Sequence, residues 1–260
     1  MRFAHSAWVL AAVSMLACGA ASQEIPVGTV FPVMSSTTLD EAKAKPGDKL
    51  SARLMQDVIL PSGARIRSGA KFEGQVVTAS SAGSGGTGLA VRFDRLISRG
   101  RQIPLAVGLR ALASMQDVFD AQLPVGTFDD FGTSISDWTT VQVGGAAVYL
   151  GDATVRDGMQ VVGKAPGYGI VMAKLVPAPK RGCQVSEIGP DREQSLWVFS
   201  PWACGTYGWD GLTIAHHGVT APVGTIVLAA PAAFRVRGGS GWLLYVVADD
   251  SSAHPASVEQ

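Results

Sequence analysis

Residues 50–78 read LSARLMQDVILPSGARIRSGAKFEGQVVT. Runs rich in aliphatic and β-branched side chains fill this stretch, and Pro61 and Gly63 interrupt it. Short apolar runs bounded by Pro and Gly are typical of β-strands joined by turns. We therefore predict strands at residues 50–60 and 64–78, with a turn between them.

Similar short runs recur along the chain, and helical periodicity is scarce. This pattern favours a barrel or a sandwich over a layered α/β fold. The predicted fold class is all-β, with a small β-barrel or sandwich module and a second, disulfide-bearing β module. An alternative inserts the second module into the first, so that the last strand completes the first sheet. Further strands are predicted at residues 29–34, 89–96, 102–107, 139–143, 147–150, 160–163, 170–176, 195–199, 212–215, 225–228, 234–237 and 242–247.

These patterns divide the chain into five parts. A short helix is predicted over residues 110–121, because apolar residues recur there on one helical face. The tail is polar and predicted to be disordered. The predicted parts are a signal peptide at 1–22, a first β domain at 23–112, a linker with the short helix at 113–136, the second β module at 137–247 and the tail at 248–260.

The first residues have the features of an export signal. Arg2 supplies positive charge, residues 7–18 form an apolar run too short to span a bilayer, and small residues follow at 19–22. Cleavage is predicted between Ser22 and Gln23, which makes the protein periplasmic or secreted. Cys18 leaves a lipoprotein as the alternative.

The composition describes a chain that can bury a core. Hydrophobic residues make up 47% of the 260 residues and charged residues 16%, which is unlike a disordered chain. Twenty-one basic residues balance 21 acidic ones, so the chain lacks the excess positive charge that is typical of nucleic-acid-binding proteins. Beyond the signal, no apolar stretch is long enough to be a transmembrane helix.

Removal of the signal leaves two cysteines, Cys183 and Cys204. An even count in an oxidising compartment predicts a disulfide, and this bond contributes roughly 3 kcal/mol in the chain-entropy model. The pair lacks the Cys-x-x-Cys spacing of redox motifs. We predict no metal site and no cofactor.

Aromatic residues cluster around Cys204. Such rings either pack in a core against the disulfide or form a surface that stacks on sugars or on a partner protein. The candidate binding aromatics are Trp197, Trp202, Tyr207 and Trp209.

The tetrad Pro-Val-Gly-Thr occurs three times at equal spacing, at residues 26–29, 124–127 and 222–225. Pro fixes one turn position, Gly accepts a positive φ, and the β-branched Thr starts a strand. We therefore expect three similar turns.

The first domain carries a set of residues in a family pattern: Gly28-Thr29, Pro46-Gly47, Asp57-Val58, Pro61-x-Gly63, Ile66-x-x-Gly69, Gly74, Phe93-Asp94-Arg95-Leu96, Gly100 and Ile103-Pro104. With them, residues 27–107 resemble the TrbI-like periplasmic domain of type IV secretion and conjugation scaffold proteins. The pattern departs at Arg67, Ser68 and Ala70, where the family usually has Pro, a basic residue and Ser. The resemblance implies a structural or binding role, here for a stand-alone relative.

The second half, with Leu196-Trp197-Val198-Phe199, is similar to uncharacterised exported bacterial proteins. No Gly-x-Ser-x-Gly elbow or His-Glu-x-x-His motif is present. The sequence therefore predicts a non-enzymatic envelope protein whose partners are envelope proteins or cell-wall glycan. A carbohydrate- or peptidoglycan-binding module and an unrecognised periplasmic hydrolase are the alternatives.

Overall fold

The structure is a computed structural model that describes the chain in ten stretches. These are residues 25–83, 86–122, 137–150, 154–157, 160–164, 172–174, 193–195, 198–200, 203–220 and 222–248. The predicted signal peptide with Cys18, Ser22 and Gln23 lies outside the described residues, as do most of the predicted linker and all of the predicted tail beyond Ala248.

Strands dominate the described residues, which confirms the all-β prediction. The first nine strands are β1 Val30–Ser35, β2 Leu39–Asp40, β3 Lys49–Leu54, β4 Val58–Ile59, β5 Arg65–Ile66, β6 Lys71–Gly83, β7 Gly86–Ser98, β8 Arg101–Pro104 and β9 Val107–Ala113. Helix α1 covers Met115–Gln122. The later strands are β10 Asp137–Gln142, β11 Gly145–Leu150, β12 Thr154–Asp157, β13 Gln160–Lys164, β14 Met172–Lys174, β15 Glu193–Ser195, β16 Gly205–Tyr207, β17 Thr213–His217, β18 Thr225–Ala230, β19 Arg235–Val236 and β20 Gly241–Val246.

The largest sheet has ten strands and curls until its ends meet. Its order is β16-β9-β20-β1-β3-β6-β7-β18-β17, with β8 paired to β7. Nδ1 of His217 on β17 lies 2.8 Å from the carbonyl oxygen of Leu109 on β9. A Cβ on neighbouring Gly108 would lie 2.6 Å from the carbonyl oxygen of His217, so the two backbones are in contact. The sheet is a nearly closed barrel.

Large apolar side chains fill the barrel interior. Phe31 packs on Phe72 with ring centroids 5.1 Å apart, and the ring of Phe93 meets Trp242 edge-on at 5.7 Å. All four side chains are fully buried. Aromatic pairs in these geometries stabilise a core beyond the area that they bury.

A smaller sheet follows α1 in the chain. Its six strands run in chain order from β10 to β15, and each pairs antiparallel with the next. The chain then returns to the barrel, where β20 pairs with both β1 and β9. The smaller sheet is therefore an insertion into the barrel, as the alternative in the sequence analysis proposed.

This topology corrects the predicted second module at residues 137–247. Strands β16 to β18 and β20 belong to the barrel, β19 pairs with β2 beside it, and only β10 to β15 form the separate sheet. The reason is the apolar run of β20. Trp242 and Leu244 face the interior, while Leu243 and Tyr245 pack in a second buried cluster with α1. A strand buried on both faces is a central strand.

The predicted helix at residues 110–121 is also corrected. Residues up to Ala113 continue β9, because they pair with β20, and α1 begins only at Met115. Ser114 caps the helix: its Oγ accepts a hydrogen bond of 3.1 Å from the backbone N–H of Asp117. Ser at this position satisfies a donor that the first helical turn leaves free.

Two groups of four strands in and beside the barrel repeat one local structure. Unit A contains β1, β2, β19 and β20, and unit B contains β3 to β6. In each unit, the two long strands pair with each other and so do the two short ones. Three residues link the first two strands (36–38 and 55–57), and four link the last two (237–240 and 67–70).

Hydrogen bonds repeat between the units as well. The N–H of Ser35 donates to the carbonyl of Ser240 at 2.8 Å, and the N–H of Leu54 donates to that of Ala70 at 2.8 Å. Strands β1 and β3 pair antiparallel with Met34 opposite Arg53 at the centre. A local two-fold axis therefore relates unit A to unit B.

Both units also begin with the same turn. At residues 26–29 and 45–48, the fourth N–H donates to the first carbonyl at 3.1 and 3.0 Å. The third residue is a glycine with positive φ, 82° for Gly28 and 89° for Gly47. This is the turn geometry that only Gly adopts without strain.

We predict that Gly74→Ala destabilises the barrel by about 1–3 kcal/mol. Its new Cβ would overlap the carbonyl oxygen of Arg92 on the paired strand β7, so the ladder must shift. The measurement is the free energy of unfolding in urea. Gly238→Ala is the control, because a Cβ there meets no atom closer than 3.7 Å. Equal stability of the two variants would contradict the prediction.

Candidate ligand-binding groove

A groove of about 910 Å³ opens where the β7–β8 hairpin meets the start of β1 and the end of β20. We call it the arginine groove. It is lined by Ile25, Val27, Arg65, Ile66, Arg92, Asp94, Ser98, Arg99, Arg101, Gln102, Ile103, Pro104, Leu105, Ala106, Val223, Val246, Val247 and Ala248.

The floor and walls of the groove are apolar. Ile25, Val246 and Val247 are buried at its base, and Ile103 and Leu105 are half-buried at its side. These residues come from segments far apart in the chain, which the barrel brings together. A ligand seated here would bury apolar surface, at about 25 cal/mol per Å².

Two of the three Pro-Val-Gly-Thr tetrads form part of the rim. Residues 222–225 make the same turn as residues 26–29, with an N–H to carbonyl distance of 3.0 Å and Gly224 at φ 77°. Val27 and Val223 of these turns both line the groove. The predicted turns are thus confirmed for these two tetrads, and the third lies outside the described residues.

Positive charge concentrates in the groove although the chain is neutral. Four arginines and one aspartate line it. Arg65 pairs with Asp57 at 3.2 Å, and Asp94 pairs with Arg95 at 3.2 Å. The three other lining arginines are exposed and form no ion pair with any described residue; they are Arg92, Arg99 and Arg101. With respect to the described residues, the groove therefore presents three free guanidinium groups above an apolar floor.

The β7–β8 hairpin holds one of these arginines in an unfavourable backbone conformation. Ser98 pairs with Arg101, and the two loop residues have φ of 50° for Arg99 and 75° for Gly100. Two positive φ values define a type I′ turn, in which Asn-Gly is the preferred pair. An L-residue such as Arg pays a steric cost in this region. Strain of this kind clusters at functional sites.

The predicted aromatic surface is only partly described. Trp197 and Trp202 lie outside the described residues. Tyr207 accepts a hydrogen bond of 3.1 Å from the N–H of Cys204, and Nε1 of Trp209 donates to the carbonyl of Arg235 at 3.3 Å. Both rings are partly buried against apolar clusters.

Cys204 is buried beside β16, with 1% of its surface exposed, whereas Cys183 lies outside the described residues. The disulfide between them therefore stays a prediction. Tyr207 sits next to Cys204, and burial raises the pKa of its hydroxyl. The neighbouring Arg110 is also buried, and this burial lowers its pKa to about 10, so its guanidinium remains charged at neutral pH.

The histidine pair lies at the barrel seam. Nδ1 of His216 is 2.6 Å from the carbonyl of Thr225, while His217 contacts Leu109 across the seam. A bulge next to Ala215 shifts the strand register. Both histidines are half-buried and bonded to backbone, which is a structural arrangement.

Two further features of the described residues bear on the site. Within them, no three His, Cys, Asp or Glu side chains are grouped as metal ligands would be. Across the same stretches, no helix has the length and apolar character that crossing a membrane requires.

Sequence reasoning missed the arginine groove. Arg92 lies between the apolar residues Val91 and Phe93, as a solvent-facing residue of any half-buried strand does. Arg99 and Arg101 lie in a polar, Gly-containing stretch that is typical of an exposed turn. One signal was available, because Arg99-Gly100 stands where a two-residue hairpin turn favours Asn-Gly.

We predict that Arg99→Asn stabilises the protein by about 0.5–1 kcal/mol, since Asn tolerates positive φ better than Arg does. Thermal unfolding of the two proteins checks this, with Arg101→Asn on the adjoining strand as the control. A lower melting temperature for Arg99→Asn would show that the arginine is kept for stability.

Comparison of the sequence with models of known protein families finds no match, and comparison with curated proteins finds none either.

Proposed function

We propose that this protein is a non-enzymatic binding protein of the bacterial envelope, and that it holds its partner in the arginine groove. The observation that carries the proposal is an apolar floor beside three arginines that form no ion pair with the described residues, on a chain of zero net charge. Such a surface attracts anions electrostatically and retains them by apolar burial.

The strain at Arg99 supports the same role. Residues in sparsely populated backbone conformations cluster at functional sites, and Arg99, at φ 50°, is such a residue. Guanidinium groups bind carboxylates and phosphates through two parallel hydrogen bonds, which makes Arg suited to anion recognition. Arg99 stands at the tip of the hairpin, where it reaches a bound ligand.

Export and a scaffold role are parts of this proposal. The apolar segment at residues 7–18 and the resemblance of residues 27–107 to TrbI-like periplasmic domains support them. The chain would then act as a relative of those scaffold domains. The carbohydrate-binding alternative draws less support, because the rings of Tyr207 and Trp209, whose faces would stack on sugars, are partly buried against apolar clusters.

Site-specific photo-cross-linking tests the binding role. We expect a cross-linker at Val27, which is 54% exposed on the groove rim, to capture a partner in envelope fractions. The double variant Arg92→Glu, Arg101→Glu should abolish this adduct. Arg237→Glu, an exposed arginine outside the groove, should leave it intact.

Val161 provides the matched position for the cross-linker, because it is 50% exposed on the smaller sheet. An adduct that forms equally from Val161, or that survives the double charge reversal, would refute the groove as the binding site.

The mature protein is expected to begin at Gln23 and to carry the Cys183–Cys204 disulfide. Intact mass spectrometry of the exported protein checks both features, since reduction of one disulfide adds two hydrogens. A lipid-modified chain beginning at Cys18 would instead establish the lipoprotein alternative. Two thiols that alkylate without reductant would exclude the disulfide.

A further inference from the structure

We propose that the partner segment in the arginine groove is an extended acidic peptide of another protein, laid along the free edge of β8. This inference rests on the proposed function and names the chemistry of the ligand. It follows from the backbone of β8, from the positions of the free arginines and from the shape of the floor.

The first step concerns the backbone of β8. Among the described strands, β8 pairs only with β7, so its other edge is open. In an antiparallel ladder, residues alternate between bonding to the partner strand and pointing away from it. The N–H of Leu105 donates to the carbonyl of Asp94 at 3.1 Å, which sets this alternation. The N–H and carbonyl of Gln102 and the carbonyl of Pro104 therefore point away from β7.

Gln102 and Pro104 also line the groove, so a peptide in the groove lies within reach of this edge. Addition of a strand to an open edge is a common way to bind extended peptides. Pro104 has no N–H, which limits the pairing to a short segment and protects the edge from association with long strands. At about 3.3 Å per residue, the four residues of β8 match a peptide of about four to six residues.

The second step concerns charge. Arg101 belongs to β8, Arg99 to its hairpin turn and Arg92 to the neighbouring strand β7. Thr225 pairs with Arg92, and the side chain of Arg92 passes close to Gly224 at the rim. The three guanidinium groups thus come from β8, from its turn and from the adjoining strand β7, all in the lining of the groove. They suit a segment with several carboxylates rather than a single anion.

The third step concerns the floor. Side chains of an extended peptide alternate between its two faces. One face would meet the apolar floor of Ile25, Val246 and Val247, and the other would carry the carboxylates toward the arginines. The segment is therefore one in which acidic and aliphatic residues alternate. None of the described residues that line the groove is aromatic, which disfavours single-stranded nucleic acid, since its bases stack on aromatic rings.

The test is a titration of a labelled hexapeptide of alternating Glu and Val with the full-length protein, followed by fluorescence anisotropy. We expect saturable binding that weakens as salt rises. Arg92→Glu and Arg101→Glu should each weaken it about tenfold, as loss of a charge-assisted hydrogen bond does. Arg237→Glu should change it less than about twofold, since that residue lies outside the groove.

Two peptide controls separate the parts of the inference. A Lys-Val hexapeptide should fail to bind. The Glu-Val hexapeptide with alternate backbone nitrogens methylated loses its donors along one edge, and in one of the two methylation registers binding should fall about tenfold. Equal binding of the unmethylated peptide and both methylated peptides would overturn pairing along β8.

Other ligands provide the remaining outcomes. If phosphatidylglycerol vesicles bind through Arg92 and Arg101 while the acidic peptide does not, the ligand is a lipid surface and the peptide proposal fails. If neither the vesicles nor the acidic peptide bind, but the cross-linker at Val27 still captures a partner, the peptide proposal fails and the proposed function stands. If neither ligand binds and the cross-linker at Val27 captures no partner, both the peptide proposal and the proposed function are overturned.

Discussion

The pairing of β1 with β20 is the interaction on which both the barrel and the groove depend. It joins Val30 to Tyr245 and Phe31 to Leu244 across most of the chain. Closing a loop of this length costs conformational entropy. The burial of β20 on both faces offsets this cost. Since the contact is so non-local, barrel closure is expected to be a late and slow step of folding.

The groove also depends on the pairing of β1 with β20. Its floor combines Ile25, just before β1, with Val246 and Val247 at the end of β20. Hydrogen bonds fasten the two segments, from the N–H of Gly28 to the carbonyl of Val246 at 2.8 Å and from the N–H of Val246 to the carbonyl of Thr29 at 2.9 Å. The groove therefore exists only in the closed barrel, and loss of the pairing would remove it together with the fold.

The sequence predicts the local elements of the fold but not the local two-fold axis that relates unit A to unit B. Strand positions followed from apolar runs, and the turns at residues 26–29 and 222–225 from Pro and Gly. Membership of a sheet followed only as an alternative, in which the last strand completes the first sheet, because the pairing of β1 with β20 carries no local signal. The likeness of unit A to unit B was hidden for the same reason. Its halves are contiguous in unit B but are separated in unit A by almost the whole chain.

The groove differs from the two repeated units in the pairing of its arginines. In both units an arginine on a short strand is neutralised, Arg235 by Asp40 and Arg65 by Asp57, and the bond to Arg235 lowers the pKa of the Asp40 carboxyl. The β7–β8 hairpin adds arginines that have no such partner among the described residues, and it places one of them at a strained turn. The described residues therefore supply an ion pair for the arginine on the short strand of each unit and none for the three exposed arginines of the groove. Under the proposed function, a ligand supplies the carboxylates that the described residues do not give these arginines.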